Sequence, residues 1–132
     1  MSPKKHRTRP GGAGEARNRR IVAEKYLEAA ELIALEDGAA INVCVGLAVL
    51  AGIAAGDAIC LSATGERYAG QDHAAAADLL SGVNAQLGKR LHTLVGFKPA
   101  SHYGAQILSS ADRTAALRSA QTLVEAARTR TT

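Results

Sequence analysis

The stretch AINVCVGLAVLAGIAAGDAICLSA, residues 40–63, is apolar around nearly the whole circumference of a helix. A helix with this pattern is buried on all sides. Ala48, Gly52 and Gly56 follow one another at intervals of four, so they share one face, where we expect another backbone to approach closely. Residues 40–63 therefore predict the central, buried helix of the fold.

The same region has the length of a short membrane span, because nineteen residues without charge lie between Asp37 and Asp57. Asn42 and three glycines dilute this run, and neither flank carries a Lys, an Arg or an aromatic anchor. We therefore predict a buried core helix and no contact with a membrane.

The composition points to close-packed helices. The chain has 132 residues, of which 47% are hydrophobic but only 3% aromatic, with no Trp. Sheets favour aromatic and β-branched residues, so this amino-acid composition indicates one helical domain. A charged content of 21% and a mean hydropathy of −0.03 exclude a wholly disordered chain. The few aromatic residues also exclude a base-stacking platform.

Apolar residues at helical spacing predict three further helices. The first covers about residues 17–35, and the next runs from its N-cap Asp72 to about Val95. After a connection over residues 96–108, Ser109 opens the last helix with a capping-box pattern.

The fold class predicted from these segments is all-α, an antiparallel up-and-down four-helix bundle over residues 17–130. Ser81-Gly82 can kink or break the third segment, so a five-helix bundle is the alternative. A central helix that is apolar on all sides needs more cover than three Ala-rich helices supply. We therefore expect a homodimer.

The positive charge is concentrated at the N-terminus. Seven basic residues against one acidic residue, Glu15, give residues 1–20 a charge of +6, whereas the whole chain carries +4. Residues 1–16, rich in Pro and Gly, are predicted to form a flexible arm. Its cations can contact RNA or DNA phosphates, although a merely solubilising tail is the simpler interpretation. The candidate nucleic-acid-binding residues are Lys4, Lys5, Arg7, Arg9, Arg17, Arg19 and Arg20.

The two cysteines indicate a reducing compartment. Cys44 and Cys60 fall on one helix, about 24 Å apart at the usual rise per residue, so they cannot form a disulfide with each other. Neither lies in a metal-binding pattern, and no signal peptide is visible. We therefore predict a cytoplasmic protein without a metal or another cofactor.

Asp57 is the first candidate for chemistry, because it is the only charged residue between Asp37 and Glu66. A buried carboxylate must be hydrogen-bonded or paired. Its partners are expected among the cations and donors of the connection before the last helix. The alternative is a carboxylate that only caps or pairs internally.

A second cluster, FKPASHY, occupies residues 97–103 and places a cation, a hydroxyl, an imidazole and a phenol in one loop. Lys98, His102 and Tyr103 could hold a phosphate and transfer a proton. The alternative is a plain connecting loop in which Tyr103 plugs the bundle. A third candidate pairs Arg67 with His73 on the loop that enters the third helix.

The order of these motifs resembles a known family. The run LAGIAAGDAICL at residues 50–61 is followed by Gly65-Glu66-Arg67, by Asp72-His73, by FKPASHY and by the closing Ser-x-x-Asp helix. The chain is similar in this respect to small bacterial HEPN domains (higher eukaryotes and prokaryotes nucleotide-binding). The resemblance covers about residues 17–128.

The resemblance implies a dimeric bundle of four to five helices. Many HEPN domains are metal-independent ribonucleases of toxin–antitoxin and phage-defence systems, with an Arg and a His separated by four to six intervening residues. Here Lys98 stands for the Arg, with three residues before His102, so the motif departs from the family pattern. The resemblance then implies a module that binds nucleic acid or a partner, such as a cognate nucleotidyltransferase or antitoxin.

The alternative under the same resemblance is an active ribonuclease. His102 would be its acid and base, and Lys98 would bind the phosphate. Tyr103 and Asp57 would shape the pocket.

Overall fold

The computed structural model describes residues 7–131, and helices dominate it. The elements in chain order are β1 (Thr8–Pro10), α1 (Ala13–Ile33), α2 (Ala40–Thr64), β2 (Glu66–Tyr68), α3 (His73–Val83), α4 (Ala85–Gly96), α5 (Lys98–Tyr103) and α6 (Ser110–Arg130). The prediction of an all-α helical bundle is confirmed. Within the described range, five helices have 11 residues or more, because the third predicted segment forms two helices.

The helix α2 is the core of the bundle, as predicted, and packs against every other helix. Sixteen of its 25 residues are buried. Leucine side chains of α4, and no second backbone, pack against Gly52 and Gly56. Leu94 occupies the position that a Cβ on Gly52 would take, and Leu91 lies 3.1 Å from the Cβ position of Gly56. The left-handed Gly65, at φ 77°, ends α2.

The length and composition of α2 would also allow it to cross a membrane, but 78% of its apolar 18-residue window is buried inside the fold. Burial by other helices of the same chain is typical of the core helix of a soluble protein. The prediction of a buried helix at this position is therefore confirmed.

The N-terminal segment differs from the predicted flexible arm. β1 pairs antiparallel with β2, and the Gly11 N–H donates to the Gly65 carbonyl at 3.0 Å. These bonds tie residues 8–11 to the end of α2. The helix α1 consequently begins at Ala13 instead of near Arg17, with Ala16 already buried. Residues 1–6 of the predicted arm lie outside the described residues.

The long third segment breaks at Asn84, two residues after the predicted kink. Asn84 takes an extended conformation and its side chain caps α4 by accepting from the Leu87 N–H at 3.0 Å. α4 then folds back along α3, and Gly88 makes this possible because a Cβ there would lie 2.6 Å from the Ser81 Cα. The chain reversal brings His92 to 2.8 Å from Asp78.

The remaining helix ends follow the sequence closely. The Asp72 carboxylate accepts from two N–H groups in the first turn of α3, and Ser109 forms the expected capping box with Asp112. The connection predicted over residues 96–108 contains the short helix α5. The inner face of α6 is the predicted one, with Ala116, Ala120, Leu123, Val124 and Ala127 fully buried and Leu117 partly buried.

Candidate functional site

The helix α5 carries three of the candidate residues together. Lys98 and His102 are four residues apart and therefore share one face of the helix. Tyr103 is 81% exposed, and its ring centroid lies 5.9 Å from that of His102. Tyr103 therefore does not plug the bundle. This short helix presents an ammonium group, an imidazole and a phenol at the protein surface.

His102 packs on α2 at a glycine. Its Nε2 lies 3.4 Å from the position that a Cβ on Gly46 would occupy, so Gly46 is what lets the imidazole lie close to α2. A shallow groove of about 310 Å³ opens beside it. The groove is lined by Asn42, Val43, Gly46, Leu47, Leu50, Ser101 and His102.

His73, at the start of α3, belongs to the same neighbourhood as Lys98. Partial burial lowers the pKa of His73, and the positive charge of Lys98 lowers it further, while Asp72 acts in the opposite direction. A neutral imidazole beside an ammonium group can accept a proton near neutral pH. The α3–α4 reversal produces this proximity, because it returns the chain to the N-terminal end of α3.

Asp57 forms a different centre with the N-terminal half of α1. Asp57 is 9% exposed, its Oδ2 accepts a hydrogen bond from the Arg19 Nε at 3.1 Å, and the Arg19 Nη2 lies 3.1 Å from the same oxygen in an ion pair. Burial raises the pKa of Asp57, while the charges of Arg19 and Arg67 act against that increase. Burial outweighs the two cations, because the carboxylate is almost completely removed from water.

The expectation that Asp57 pairs with the connection before the last helix is therefore wrong. Its partner comes from α1, and Asp57 lies eleven residues along α2 from Gly46, about 16 Å at the helical rise. Asp57 does not line the groove beside His102. Of the third candidate pair, the charge of Arg67 acts on the pKa of Asp57, and the charge of Lys98 acts on the pKa of His73.

The basic N-terminal residues separate into two groups. Arg19 and Arg20 are partly buried and form ion pairs within the chain, Arg19 with Asp57 and Arg20 with Glu24, each at 3.1 Å. They are not free phosphate ligands, because internal carboxylates already occupy them. Arg7, Arg9 and Arg17 are exposed, and Lys4 and Lys5 lie outside the described residues.

The two-stranded ribbon places like charges opposite each other. In its register Arg9 faces Arg67, and the Arg7 carbonyl accepts from the Ala69 N–H at 2.9 Å. Arg67 is partly neutralised because it lies close enough to Asp57 to affect its pKa. Arg9 has no ion-pair partner within residues 7–131. Directly opposed like charges destabilise a ribbon unless an anion or a carboxylate compensates them.

A groove of about 360 Å³ continues from the ribbon along the start of α1. It lies between the backbone of Gly11-Gly12 and the end of α6, and both Arg17 and Arg130 line it. The N-terminal N–H groups of α1 have no side-chain cap. Two guanidinium groups therefore lie beside the N-terminal end of α1, while Glu15 in its first turn and the C-terminal ends of α2 and α6 add negative charge there.

Within residues 7–131, we searched for groups of side chains that could bind a metal ion and for reactive thiols. No group of three or more His, Cys, Asp or Glu side chains in this range could hold a metal ion. Cys44 and Cys60 are free and buried, as predicted, and the Cys44 thiol donates to the Ala30 carbonyl at 3.3 Å. Burial raises the pKa of both thiols, that of Cys60 to about 12 with a further contribution from Asp57.

The chain was compared with known protein families and with curated proteins. No family model matches the chain, and no curated protein matches it in sequence.

Proposed function

We propose that this protein is a small cytoplasmic helical module that binds nucleic acid through phosphate contacts made by its basic N-terminal segment. The main support is the ribbon of β1 and β2. It holds the exposed Arg9 opposite Arg67, where a bound phosphate would relieve the repulsion between them.

The groove at the start of α1 extends this basic surface. Arg17 and Arg130 line it, next to the glycines that follow β1. A phosphate backbone crossing from Arg9 towards Arg17 would replace condensed counterions along its path. Such contacts bind the backbone without reading bases, which suits a chain with only 3% aromatic residues.

The resemblance to HEPN domains supports a role in a toxin–antitoxin or phage-defence type system. It suggests a protein partner as well, either a cognate nucleotidyltransferase or an antitoxin. Lys98 in place of the family's Arg is consistent with binding in the absence of cleavage, because an ammonium group lacks the bidentate fork.

Fluorescence anisotropy with a labelled single-stranded RNA tests the proposal. The variant Arg9→Ala/Arg17→Ala removes two exposed guanidinium groups that form no ion pair within residues 7–131, so the fold should be unaffected. We expect its affinity to fall by roughly tenfold at low salt, since each cation neutralises one phosphate.

The matched control is Lys89→Ala/Arg90→Ala, which removes the same charge from the exposed side of α4. It should bind almost as tightly as the unaltered chain. Equal losses in both variants would mean that only net charge matters. Absence of RNA and DNA binding by the unaltered chain would overturn the proposal.

Metal-independent ribonuclease activity is the second candidate, favoured by one observation. Lys98 and His102 share a face of α5, and the Lys98 charge helps to keep His73 neutral, so a cation and a proton acceptor lie close together. Incubation with structured and unstructured RNA in EDTA tests it beside His102→Ala, His73→Ala and the unrelated His92→Ala. Cleavage lost in the first two and retained in the third would support it, and absence of cleavage by the unaltered chain would exclude it.

A further inference from the structure

The large hydrophobic side chains that residues 7–131 leave exposed are concentrated at one end of the bundle. Two of the seven, Ile21 and Val22, lie in the first half of α1. The other five lie where α1 ends, where α2 begins and around the connection from α5 to α6, and they define the apolar end: Leu32, Leu35, Val43, Tyr103 and Ile107. Exposed hydrophobic side chains that cluster in this way mark a surface for another molecule.

Hydrogen bonds hold the segments of the apolar end together. The Arg113 guanidinium, near the start of α6, donates to the Glu36 carbonyl at 2.7 Å. The Asn42 side chain, in the first turn of α2, donates to the Gln106 carbonyl at 3.1 Å and accepts from the Leu108 N–H at 2.8 Å. The connection between α1 and α2, the start of α2 and the connection before α6 therefore form one surface.

Two grooves flank α5 on this surface. The groove of about 310 Å³ lies between α2 and α5, and Val43, Leu47 and Leu50 form its apolar wall. A second groove, of about 560 Å³, lies between α5 and the connection to α6 and is lined by Ile107. None of the Lys or Arg residues in the described range lines either groove. Grooves of this kind accept the apolar side of a partner segment.

The charge around the grooves is negative. The Asp37 carboxylate is 87% exposed and pairs with Arg113 at 3.2 Å, while Asp112 lines the second groove. Segments 29–47 and 99–117 contain one basic residue and four acidic residues, which gives them a net charge of −3. The acidic residues are Glu31, Glu36, Asp37 and Asp112.

This charge decides which class of molecule fits the apolar end. The opposite end is basic, because residues 7–20 carry five arginines and one glutamate, and the 21 residues of α1 separate the two ends by about 30 Å. A nucleic acid, an anionic lipid surface and the apolar end of a second copy are all negative. The acidic residues repel each of them and attract a cation.

We propose that the apolar end docks a cationic amphipathic segment of a partner protein. Apolar side chains of that segment pack on Val43 and Ile107 in the two grooves, and its Lys or Arg side chains face Glu36 and Asp37. The proposal does not rest on nucleic-acid binding, which belongs to the opposite end, so either proposal can fail without the other.

Two synthetic peptides are the probes, and fluorescence anisotropy with the full chain measures their binding. Each peptide is an amphipathic helix former of about 18 residues with leucines on one face. The opposite face carries lysines in the first peptide and glutamates in the second. We expect the lysine peptide to bind at least about tenfold more tightly, although the chain itself has a net charge of +4.

The apolar contacts are tested by two variants that make the same chemical change in different places. Val43→Ser/Ile107→Ser removes one apolar side chain from each groove and should weaken binding of the lysine peptide by roughly tenfold. Ile21→Ser/Val22→Ser alters two exposed side chains of α1 away from the apolar end. It should change the affinity by less than about twofold.

The charge contacts are tested in the same way. Glu36→Gln/Asp37→Asn removes two negative charges beside the grooves and keeps an oxygen at position 37 for Arg113. It should weaken binding of the lysine peptide several-fold. Asp78→Asn/Glu125→Gln removes the same charge from two exposed positions on α3 and the second half of α6, and its affinity should stay close to that of the unaltered chain.

Nuclear magnetic resonance locates the bound peptide. Amide shifts should change in residues 35–47 and 99–112 and stay constant in residues 9–17. Three results would overturn the proposal: no preference for the lysine peptide, equal losses in a variant and its control, or shift changes that map outside the apolar end. Self-association of the unaltered chain through this end would also overturn it, because a second copy would then be the occupant.

Discussion

Arg19 donates from its Nε to the Asp57 Oδ2 at 3.1 Å, and its Nη2 lies 3.1 Å from the same oxygen, so this ion pair joins α1 to a buried carboxylate of α2. The two residues of this pair differ in solvent exposure. Arg19 is about one-third exposed, whereas Asp57 is almost completely buried. The loss of Arg19 would leave a buried charge without its closest partner, so the fold depends on this arginine in a way that its exposed neighbour Arg17 does not share.

The substitution Arg19→Ala should therefore destabilise the protein by about 2 kcal/mol or more at pH 7, less than the full penalty of a buried pair because Asp57 can take up a proton. Chemical denaturation measures this loss. Arg17→Ala, two residues earlier on the exposed side, should change the free energy of unfolding by no more than about 0.5 kcal/mol.

The loss of stability in Arg19→Ala should depend on pH. Burial raises the pKa of Asp57, so the folded state is favoured when this carboxyl is protonated. Stability from this group is highest below its ordinary pKa of 3.8 and is lost as the pH rises through the raised value. Removal of Arg19 raises that pKa further, so the deficit of Arg19→Ala should shrink near pH 4. A deficit that is equal at pH 4 and pH 7 would contradict this assignment.

The imidazole of His73 should titrate below its ordinary pKa of 6.5, first because it is partly buried and then because Lys98 is close. The unfolded chain takes up this proton first, so His73 costs stability as the pH falls through 6.5 towards the lowered value. Lys98→Ala should raise the pKa of His73, which NMR titration of the ring protons measures. Lys89→Ala, which removes a distant lysine, should leave the titration unchanged.

Both thiols should be unreactive in the native protein. Cys44 is fully buried and Cys60 is 3% exposed, and the Cys60 pKa of about 12 leaves almost no thiolate at pH 8. An aromatic disulfide reagent should therefore detect no thiol in the native protein and two in guanidinium chloride. Rapid labelling of either cysteine before unfolding would show that α2 is not held as tightly as its burial indicates.

Gly88→Ala should open the reversal between α3 and α4. A Cβ at this position would lie 2.6 Å from the Ser81 Cα, and backbone cannot move aside as a flexible side chain can. We expect a loss of about 2 kcal/mol or more in thermal or chemical unfolding. Gly82→Ala is the matched control, because nothing lies within 4 Å of its Cβ position and alanine favours the helix.

Local patterns predicted the helices well and the long-range partners poorly. The continuous apolar character of residues 40–63 was sufficient to predict α2, and the caps at Asp72 and Ser109 act within three residues. The β1–β2 ribbon escaped prediction because strands of three residues have too little periodicity to detect. Asn84 ends α3 although the leucine stripe continues through it, because capping and Gly88 outweigh the periodicity.

The sequence predicted which residues are candidates for the site, but it did not predict which of them lie close together. Lys98 and His102 share a face because four residues separate them, which the sequence shows directly. The pairing of Asp57 with Arg19 spans 38 positions and arises from the packing of α1 on α2. The charge of Lys98 acts on His73 because α4 packs back along α3 and returns the chain towards the start of α3. In the sequence, only Asn84, as a possible helix cap, and Gly88, as a residue that permits close packing, could have indicated this reversal.

The salt dependence of RNA binding tests the central claim most directly. The logarithm of the dissociation constant for single-stranded RNA would be measured against the logarithm of the salt concentration for the unaltered chain, Arg9→Ala/Arg17→Ala and Lys89→Ala/Arg90→Ala. The account predicts that the slope falls by roughly 1.4 in the Arg9/Arg17 variant, because each lost phosphate contact on a single strand contributes about 0.7. The Lys89/Arg90 variant should keep the original slope. Equal slopes in all three proteins, or no measurable binding, would contradict the account.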